Sequence, residues 1–246
     1  MSAGGSPLPS VQGTSQACWW RLRVGEVRRE GDPELEGDLA LKLVPDLPGE
    51  VLLIPLVSTA GVTLGSAIWR KPGLVEAIRG LPGIGEVRLS SIGGTVGPGG
   101  ASWLSLLFVA HLPDPFPRPL DQLMAAFLTF LDRKLGLWDV SLERGRVEGA
   151  WCPGFSDVAV SGRKLAGLGF KLTRETALVR AILGVRPPSS AELQALDTAH
   201  RTFGPGVHGE RLCWLSQVLQ LPDLDHEGAL RLLVGGPPVQ PEKIFS

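Results

Sequence analysis

Apolar residues along the chain follow helical spacing in some segments and strand spacing in others. Between residues 72 and 83, Leu74, Val75, Ile78 and Leu81 recur every three or four positions. That spacing places them on one face of a helix, and the Gly-Leu-Pro-Gly sequence at its end would stop the helix there. A longer stripe predicts a helix over residues 119–137, formed by Leu120, Leu123, Phe127, Phe130, Leu131 and Leu135.

Strand-like runs outnumber these helical stripes. Apolar runs rich in β-branched residues predict strands, and Pro55 in one of them favours a sheet edge or a bulge. Further helices are expected near the start of the chain and in its last third. The fold class we predict is α+β, with a mixed, largely antiparallel sheet packed against helices. The strands are predicted at 18–25, 50–57, 61–65, 86–90 and 101–112 and between 147 and 185, and the further helices at 36–47 and 189–204 and in two later stretches.

A two-residue turn at Ser161-Gly162 sits between two short apolar runs and predicts a β-hairpin. If Val160 opposes Arg163, one face of the hairpin carries Asp157, Ala159, Lys164 and Ala166. In that register Lys164 lies diagonally from Asp157, about 7–8 Å away. We therefore expect a half-buried lysine beside small residues, placed to bind a carbonyl or carboxylate.

Cys152 precedes this hairpin on a Pro-Gly turn that could bring its sulfur over the same face. A neighbouring ammonium favours the thiolate, which is the nucleophilic form of cysteine and can form a thioester. The alternative for a lone cysteine is a small buried hydrophobe. We expect that inert role for the other two cysteines, Cys18 and Cys213, which stand beside tryptophans.

Charge and spacing narrow the function classes. The net charge is −1, so no electrostatic footprint for nucleic acid is present. The three cysteines form no CxxC pair and the four histidines form no HxH or HxxxH pair, which argues against a disulfide framework and against a metal site. Neither a signal peptide nor an apolar run of about 20 residues is present, so we expect a cytoplasmic protein without a membrane span.

Three motifs in order along the chain resemble those of the biotin/lipoate protein ligase and octanoyltransferase superfamily. They are GVTLG, then RLSSIGGTVGPGG, then CPGFSDVAVSGRKLAG. Members of that superfamily carry a strand ending in Leu-Gly, an Arg-x-Ser-Gly-Gly loop, and an Asp followed by Gly-x-Lys-x-x-Gly. The last motif, residues 162–167 here, is the most specific. Cys-Pro-Gly upstream of it looks most like the branch of octanoyl and lipoyl amidotransferases that work through an acyl-cysteine.

The resemblance covers about residues 19–185 and implies the domain organisation. We expect a disordered tail over residues 1–17, a ligase-like catalytic domain over 18–187, and a small helical C-terminal annex over 188–246. The leucines of the annex are interpreted as core positions. They are Leu193, Leu196, Leu212, Leu215 and Leu219.

The resemblance also implies roles for individual residues. Cys152 would accept the acyl group as a thioester, and Lys164 would hold its carbonyl end. The backbone of Gly93 and Gly94 would close over the acyl chain, since glycine lets N–H groups approach a ligand. No general base is indicated. The remaining residues expected to bind substrate are Arg88, Ser91, Asp157, Gly162, Ala166 and Gly167.

The motifs depart from the ligase pattern in three places. Ile92 stands where many ligases have a glycine, Gly97-Pro98-Gly99-Gly100 replaces a segment with His or Asp, and the His-Gly after the last motif is missing. Because the ligase loop surrounds an acyl-adenylate, the first two changes weaken the case for ATP.

Three functions therefore remain open at the level of the sequence. The first is an acyltransferase that needs no cofactor and moves octanoyl or lipoyl groups onto a lysine of a lipoyl domain, with an acyl carrier protein or the glycine-cleavage H protein as donor. The second is a lipoate-protein ligase that uses ATP and Mg²⁺. The third is a non-catalytic module that binds acyl groups or carrier proteins.

Overall fold

The computed structural model describes residues 21–24, 28–29, 43, 45, 50–57, 61–112 and 119–235. The predicted tail over residues 1–17, Cys18 and most of the helix predicted over 36–47 lie outside these residues. None of the helices in the described part of the chain is long and apolar enough to cross a membrane.

Two β-sheets form the framework, and together they confirm the predicted mixed, largely antiparallel α+β class. The larger sheet contains β1 (Arg21–Val24), β2 (Arg28–Arg29), β3 (Glu50–Val57), β7 (Trp103–His111), β8 (Glu143–Arg144), β9 (Asp157–Val160), β10 (Arg163–Leu172) and β11 (Thr176–Gly184). Its order is β1-β3-β7-β11-β10-β9-β8, with β2 also paired to β3. The smaller sheet has the order β5-β4-β6, from β4 (Gly61–Leu64), β5 (Glu86–Leu89) and β6 (Val96–Pro98). Among the described strand pairs, the parallel ones are β1 with β3, β2 with β3, and β5 with β4.

Strand β3 corrects the prediction that Pro55 marks a sheet edge or a bulge, because its pairing with β7 has no shift in register. β3 lies inside the larger sheet, and Pro55 opposes Leu106 of β7. On the other side, β1 pairs with residues 50–53 and β2 with residues 56–57. Pro55 therefore lies between the residues of β3 that pair with β1 and those that pair with β2. Its missing N–H removes none of the described pairs on that side of β3.

In the part of the chain that the structure describes, six α-helices surround the sheets. They are α1 (Ser66–Trp69), α2 (Pro72–Arg79), α3 (Pro119–Leu135), α4 (Ser190–Arg201), α5 (Leu215–Val218) and α6 (His226–Val234). The predicted stripe of α3 is confirmed, because Leu123, Phe127, Leu131 and Leu135 are buried in the main core. Residues 147–156, predicted as strand, instead form turns. This turn segment carries Cys152.

The C-terminal helices complete both hydrophobic cores. Leu215 and Leu219 of this part belong to the core under α3, and Leu196 and Leu212 to the core beside the smaller sheet. Of the five leucines interpreted as core, these four are buried and Leu193 is half-buried. A capping box formed by Ser189 and Glu192 begins α4.

His200 of α4 connects this part of the chain to the smaller sheet. Its side chain is buried, and its Nε2 lies 3.1 Å from the carbonyl oxygen of Val96. Burial lowers the pKa of His200 to about 4, with the hydrogen bond to Val96 opposing this shift. Since a histidine in the unfolded chain has a pKa near 6.5, the unfolded state binds the proton more tightly.

His200 should therefore make stability depend on pH. Its contribution is fully present above pH 6.5 and is lost as the pH falls toward 4, by about 3 kcal/mol in all. We expect the unfolding free energy of His200→Gln, measured in urea, to fall less than that of wild type over this window. His208→Gln, at an exposed histidine, is the control and should keep the wild-type slope. Equal slopes for His200→Gln and wild type would contradict the assignment.

Candidate active site

The hairpin between β9 and β10 forms as predicted at its turn and differs beyond it. Ser161 and Gly162 both have positive φ angles, 51° and 68°, as a type I′ turn requires. Val160 opposes Arg163 and Ala159 opposes Lys164, in the predicted register.

A β-bulge at Leu165 changes the register after Lys164. Ala166 opposes Val158, and Gly167 opposes Asp157. The prediction that Asp157 and Ala166 share one face of the hairpin is therefore wrong. The extra residue in β10 turns Ala166 into the main core beside Val158, so Ala166 does not share a face with Lys164.

Lys164 is fully buried, and not half-buried as the sequence suggested. Its Nζ lies 2.7 Å from Asp157 Oδ1, which replaces the expected diagonal separation by a direct ion pair. The ammonium also donates to the carbonyl oxygens of Trp151, at 2.6 Å, and Cys152, at 3.3 Å. All three N–H bonds of the ammonium thus have an acceptor. Burial lowers the pKa of Lys164, and the charge of Asp157 opposes this effect.

The carboxylate of Asp157 organises the segment that leads to Cys152. Its Oδ2 accepts hydrogen bonds from the backbone N–H of Val147 and of Gly154, both at 3.1 Å. Together with the ion pair to Lys164, these contacts fix the turns on both sides of the cysteine. Asp157, which was predicted to bind substrate, therefore positions the backbone around Cys152 in this structure.

Gly167 explains why the last motif needs glycine three residues after the lysine. A Cβ at Gly167 would lie 2.6 Å from the Trp151 ring and 2.9 Å from Lys164 Nζ. The space that a side chain would take is filled by the ammonium, which lies 3.8 Å from the centroid of the Trp151 ring in a cation–π contact.

Cys152 has a strained backbone and a hydrogen-bonded sulfur. Its φ of 41° lies in the left-handed region, which residues other than glycine and asparagine rarely adopt. The N–H of Thr95 donates to Cys152 Sγ at 3.4 Å, and a Cβ on Gly94 would come within 3.0 Å of that sulfur. The side chain is partly exposed. Strain of this kind clusters at functional sites.

The loop that carries Gly93 and Gly94 is held by backbone contacts. Gly65 N–H donates to Thr95 O at 2.6 Å, and Ser66 Oγ donates to Gly93 O at 3.2 Å. On the other side, a Cβ at Gly169 would lie 2.4 Å from the Cα of Gly93, so β10 and the loop touch backbone to backbone. The loop is therefore fixed against both β4 and β10.

These elements enclose a cavity that opens to solvent. Of the predicted site residues, six line it: Cys152, Lys164, Asp157, Gly93, Gly94 and Gly167. Four others lie elsewhere. Gly162 is in the exposed hairpin turn, Ala166 is in the core, Ser91 precedes the loop, and Arg88 is buried behind Thr63 with its Nε donating to Thr63 Oγ1 at 3.4 Å.

The lining also includes residues that the sequence analysis did not predict for the site, among them Thr63, Thr95, Trp151 and Arg180. Trp151 could have been found from its position beside Cys152. Arg180 could have been found as the lone charge in the otherwise apolar run from Ala177 to Leu183. Thr63 and Thr95 carry no such signal.

Cys213 behaves as predicted for a buried and inert thiol. It is fully buried, and its Sγ donates to the carbonyl oxygen of Arg163 at 3.2 Å. Burial raises the pKa of the Cys213 thiol to about 11, so it stays protonated at neutral pH.

Comparison with known proteins yields structural neighbours. No family profile and no curated protein matches the sequence. Lipoate-protein ligase A bound with ATP matches with a TM-score of 0.59 at 12% identity, over 87% of this chain and 82% of that chain. The bi-partite lipoate protein ligase of Thermoplasma acidophilum, from a study that includes its E2 lipoyl domain, matches with a TM-score of 0.57 at 13% identity. The match covers 87% of this chain and 80% of that chain.

A third match is P. falciparum LipL1 in complex with lipoate. The TM-score is 0.52 at 12% identity, over 87% of this chain and 60% of that chain. At such identities the likeness concerns the fold, and the assignment to the acyl-cysteine branch stays a prediction. The chain therefore has the mixed α+β fold of the lipoate-protein ligases, as the resemblance of its motifs to the biotin/lipoate ligase superfamily predicted.

Proposed function

We propose that this chain is an acyltransferase that carries an octanoyl or lipoyl group on Cys152 and passes it to a lysine of a lipoyl-carrier protein. The observation that supports this most is the setting of Cys152. Its strained backbone directs Sγ into the cavity, onto the N–H of Thr95, while Lys164 holds the carbonyl groups on either side of it.

The reaction would proceed in two acyl transfers. The Cys152 thiolate attacks the carbonyl carbon of a donor thioester, a new C–S bond forms, and the donor thiolate leaves and takes up a proton. The amine of the acceptor lysine then attacks the new thioester, the bond to Cys152 breaks, and the amine loses a proton as the amide forms. With an acyl carrier protein, the energy for both steps is stored in the donor thioester. With an octanoylated H protein, the bond that breaks in the first step is the amide to its lysine, the leaving amine takes up the proton, and the second step forms an equivalent amide.

The residues around Cys152 have distinct tasks in this scheme. The N–H of Thr95 donates to the sulfur and holds it in place. Backbone N–H groups of the loop around Gly93 and Gly94 would serve the oxyanion, where one well-placed donor contributes about 3–4 kcal/mol to lowering the barrier. Lys164 fixes the backbone of the nucleophile, a role different from gripping the acyl carbonyl.

The proposed partners follow from the chemistry and from the structural neighbours. The acceptor is a lipoyl domain, as in the study of the Thermoplasma ligase with its E2 lipoyl domain. The donor is a protein that holds the acyl group ready for transfer, either an acyl carrier protein or the glycine-cleavage H protein.

An ATP-dependent ligase is less well supported by the cavity. Mg²⁺ bound with ATP takes oxygen ligands, commonly carboxylates. Among the described lining residues Asp157 is the only carboxylate, and both of its oxygens are engaged by Lys164 and two backbone N–H groups. The described lining therefore does not fit Mg²⁺-ATP.

The experiment that tests the proposal is intact-mass measurement after incubation with octanoylated carrier protein and, separately, with octanoylated H protein, both without ATP. We expect one octanoyl adduct on wild type, released by hydroxylamine and absent from Cys152→Ala. Cys213→Ala is the matched control, because Cys213 is buried and protonated, and it should form the adduct.

Two results would overturn the proposal. Transfer to a lipoyl domain only when ATP and free octanoic acid are supplied, and undiminished in Cys152→Ala, would make the chain a ligase. Binding of the acylated donor without adduct or transfer under either condition would make it a non-catalytic binding module.

A further inference from the structure

Arg180 occupies an unusual place at the inner side of the Cys152 cavity. It lies on β11 directly opposite Gly169, two residues along β10 from Gly167. The residue is buried, and its Nε donates to Ser105 Oγ of β7 at 3.1 Å. Its Nη2 donates to Thr63 Oγ1 of β4 at 3.5 Å. The side chain thus crosses from the larger sheet to the smaller one.

An apolar cluster lies beyond Arg180 on the same face of the larger sheet. Alternate residues of a strand share a face, so Leu178 follows Arg180 there, and Leu107 is the partner of Arg180 on β7. Leu107 and Leu178 belong to one buried cluster with Ile54, Val109 and Ile92. Ile92 also lines the cavity. Arg180 therefore stands between the cavity with the nucleophile and a group of aliphatic side chains.

We propose that Arg180 closes the inner end of the acyl-binding cavity and sets the longest acyl chain that Cys152 accepts. This inference rests on the proposed function, because it concerns the group bound to Cys152. A chain that reaches Arg180 meets a guanidinium held by two hydroxyl groups. To continue, it would have to move this side chain out of the space that it fills, which a close-packed interior resists.

The distance available agrees with a short acyl group. Gly167 lies beside Lys164, which holds the carbonyl oxygen of Cys152, and Gly169 lies opposite Arg180. Two residues of a strand span about 7 Å, so a long acyl chain that extends along β10 meets the side chain of Arg180. Replacement of Arg180 by a small residue would join the cavity to the aliphatic cluster around Leu107 and Leu178.

The test is a chain-length profile of adduct formation on Cys152. Hexanoyl, octanoyl, decanoyl and dodecanoyl pantetheine thioesters are compared by the initial rate of mass gain on the full chain. In wild type we expect the rate to fall about tenfold or more between octanoyl and dodecanoyl, the range over which methylene groups are discriminated in a closed pocket. In Arg180→Ala the fall should disappear or move beyond dodecanoyl.

Two further variants separate closure from stability. Arg180→Met fills a similar volume without charge and should keep a profile close to wild type. Ser105→Ala removes one hydrogen bond but leaves the arginine, so it too should keep the profile even if it lowers the melting temperature.

The outcomes distinguish this inference from the proposed function. No adduct in wild type with any thioester or carrier would refute the proposed function itself. Adducts in wild type with the same chain-length profile in folded Arg180→Ala would refute the role of Arg180 alone. An equal shift in Arg180→Met and Arg180→Ala would also refute closure by the volume of the side chain.

Discussion

Asp157→Asn is expected to lower the free energy of unfolding by about 3–5 kcal/mol, as found when one partner of a buried ion pair is removed. The side chains of Lys164 and Asp157 are 0% and 2% exposed, so the ammonium cannot turn to water when its carboxylate is lost. The pKa of Lys164, already lowered by burial, would fall further, because the charge of Asp157 is what opposes that shift. Urea denaturation measures the change.

Asp121→Asn is the matched control for this substitution. Asp121 pairs with Arg144 at 3.3 Å on the surface, where its side chain is 62% exposed. Exposed pairs contribute about 0–1 kcal/mol, so this variant should be close to wild type. Asp157→Asn combined with Lys164→Met should cost less than the sum of the single changes, since it leaves no buried charge unpaired. A loss in Asp157→Asn no larger than in Asp121→Asn would contradict the ion pair.

Gly169→Ala is expected to slow acylation of Cys152 by about a hundredfold, the cost of displacing a reacting group by about 1 Å. A Cβ at Gly169 would lie 2.4 Å from the Cα and 2.8 Å from the N of Gly93. Both contacts are with backbone atoms, which cannot rotate away, so the loop must move. This movement would break the hydrogen bond from the N–H of Thr95 to Cys152 Sγ. The measurement is the rate of octanoyl adduct formation from a pantetheine thioester.

Gly73→Ala provides the control for the change of glycine to alanine. Gly73 lies in helix α2, and a Cβ there has no atom within 4 Å. This variant should acylate at the wild-type rate and be at least as stable, because alanine favours a helix. Acylation of Gly169→Ala at the wild-type rate would show that the loop does not position the thiol.

Much of the fold was readable from local signals in the sequence. The apolar stripe of α3 and the Ser161-Gly162 turn each depend on residues close together in the chain, and both were predicted correctly. The bulge at Leu165 was not, because it depends on how β10 meets β9 and the core at once. One inserted residue was enough to send Ala166 to the opposite side from the predicted one.

The sequence predicted which residues form the candidate site but not how they are arranged. The motifs identified Cys152, Lys164 and the loop glycines, and the structure brings these around one cavity. The sequence could not show that Lys164 is saturated by Asp157 and two carbonyl groups, since those carbonyls belong to a turn whose course depends on the fold. Arg180 was missed because β11 is covered on both faces. The alternation of side chains along such a strand does not tell which face borders a cavity.

The left-handed backbone of Cys152 bears on the choice of variant at that position. Glycine is the residue that this conformation favours, and any other residue there costs about 1–3 kcal/mol. Alanine removes the thiol and keeps the strain, whereas glycine removes both. Glycine, the most stable residue at this position, has no reactive group. Stability and activity therefore place opposite demands on residue 152.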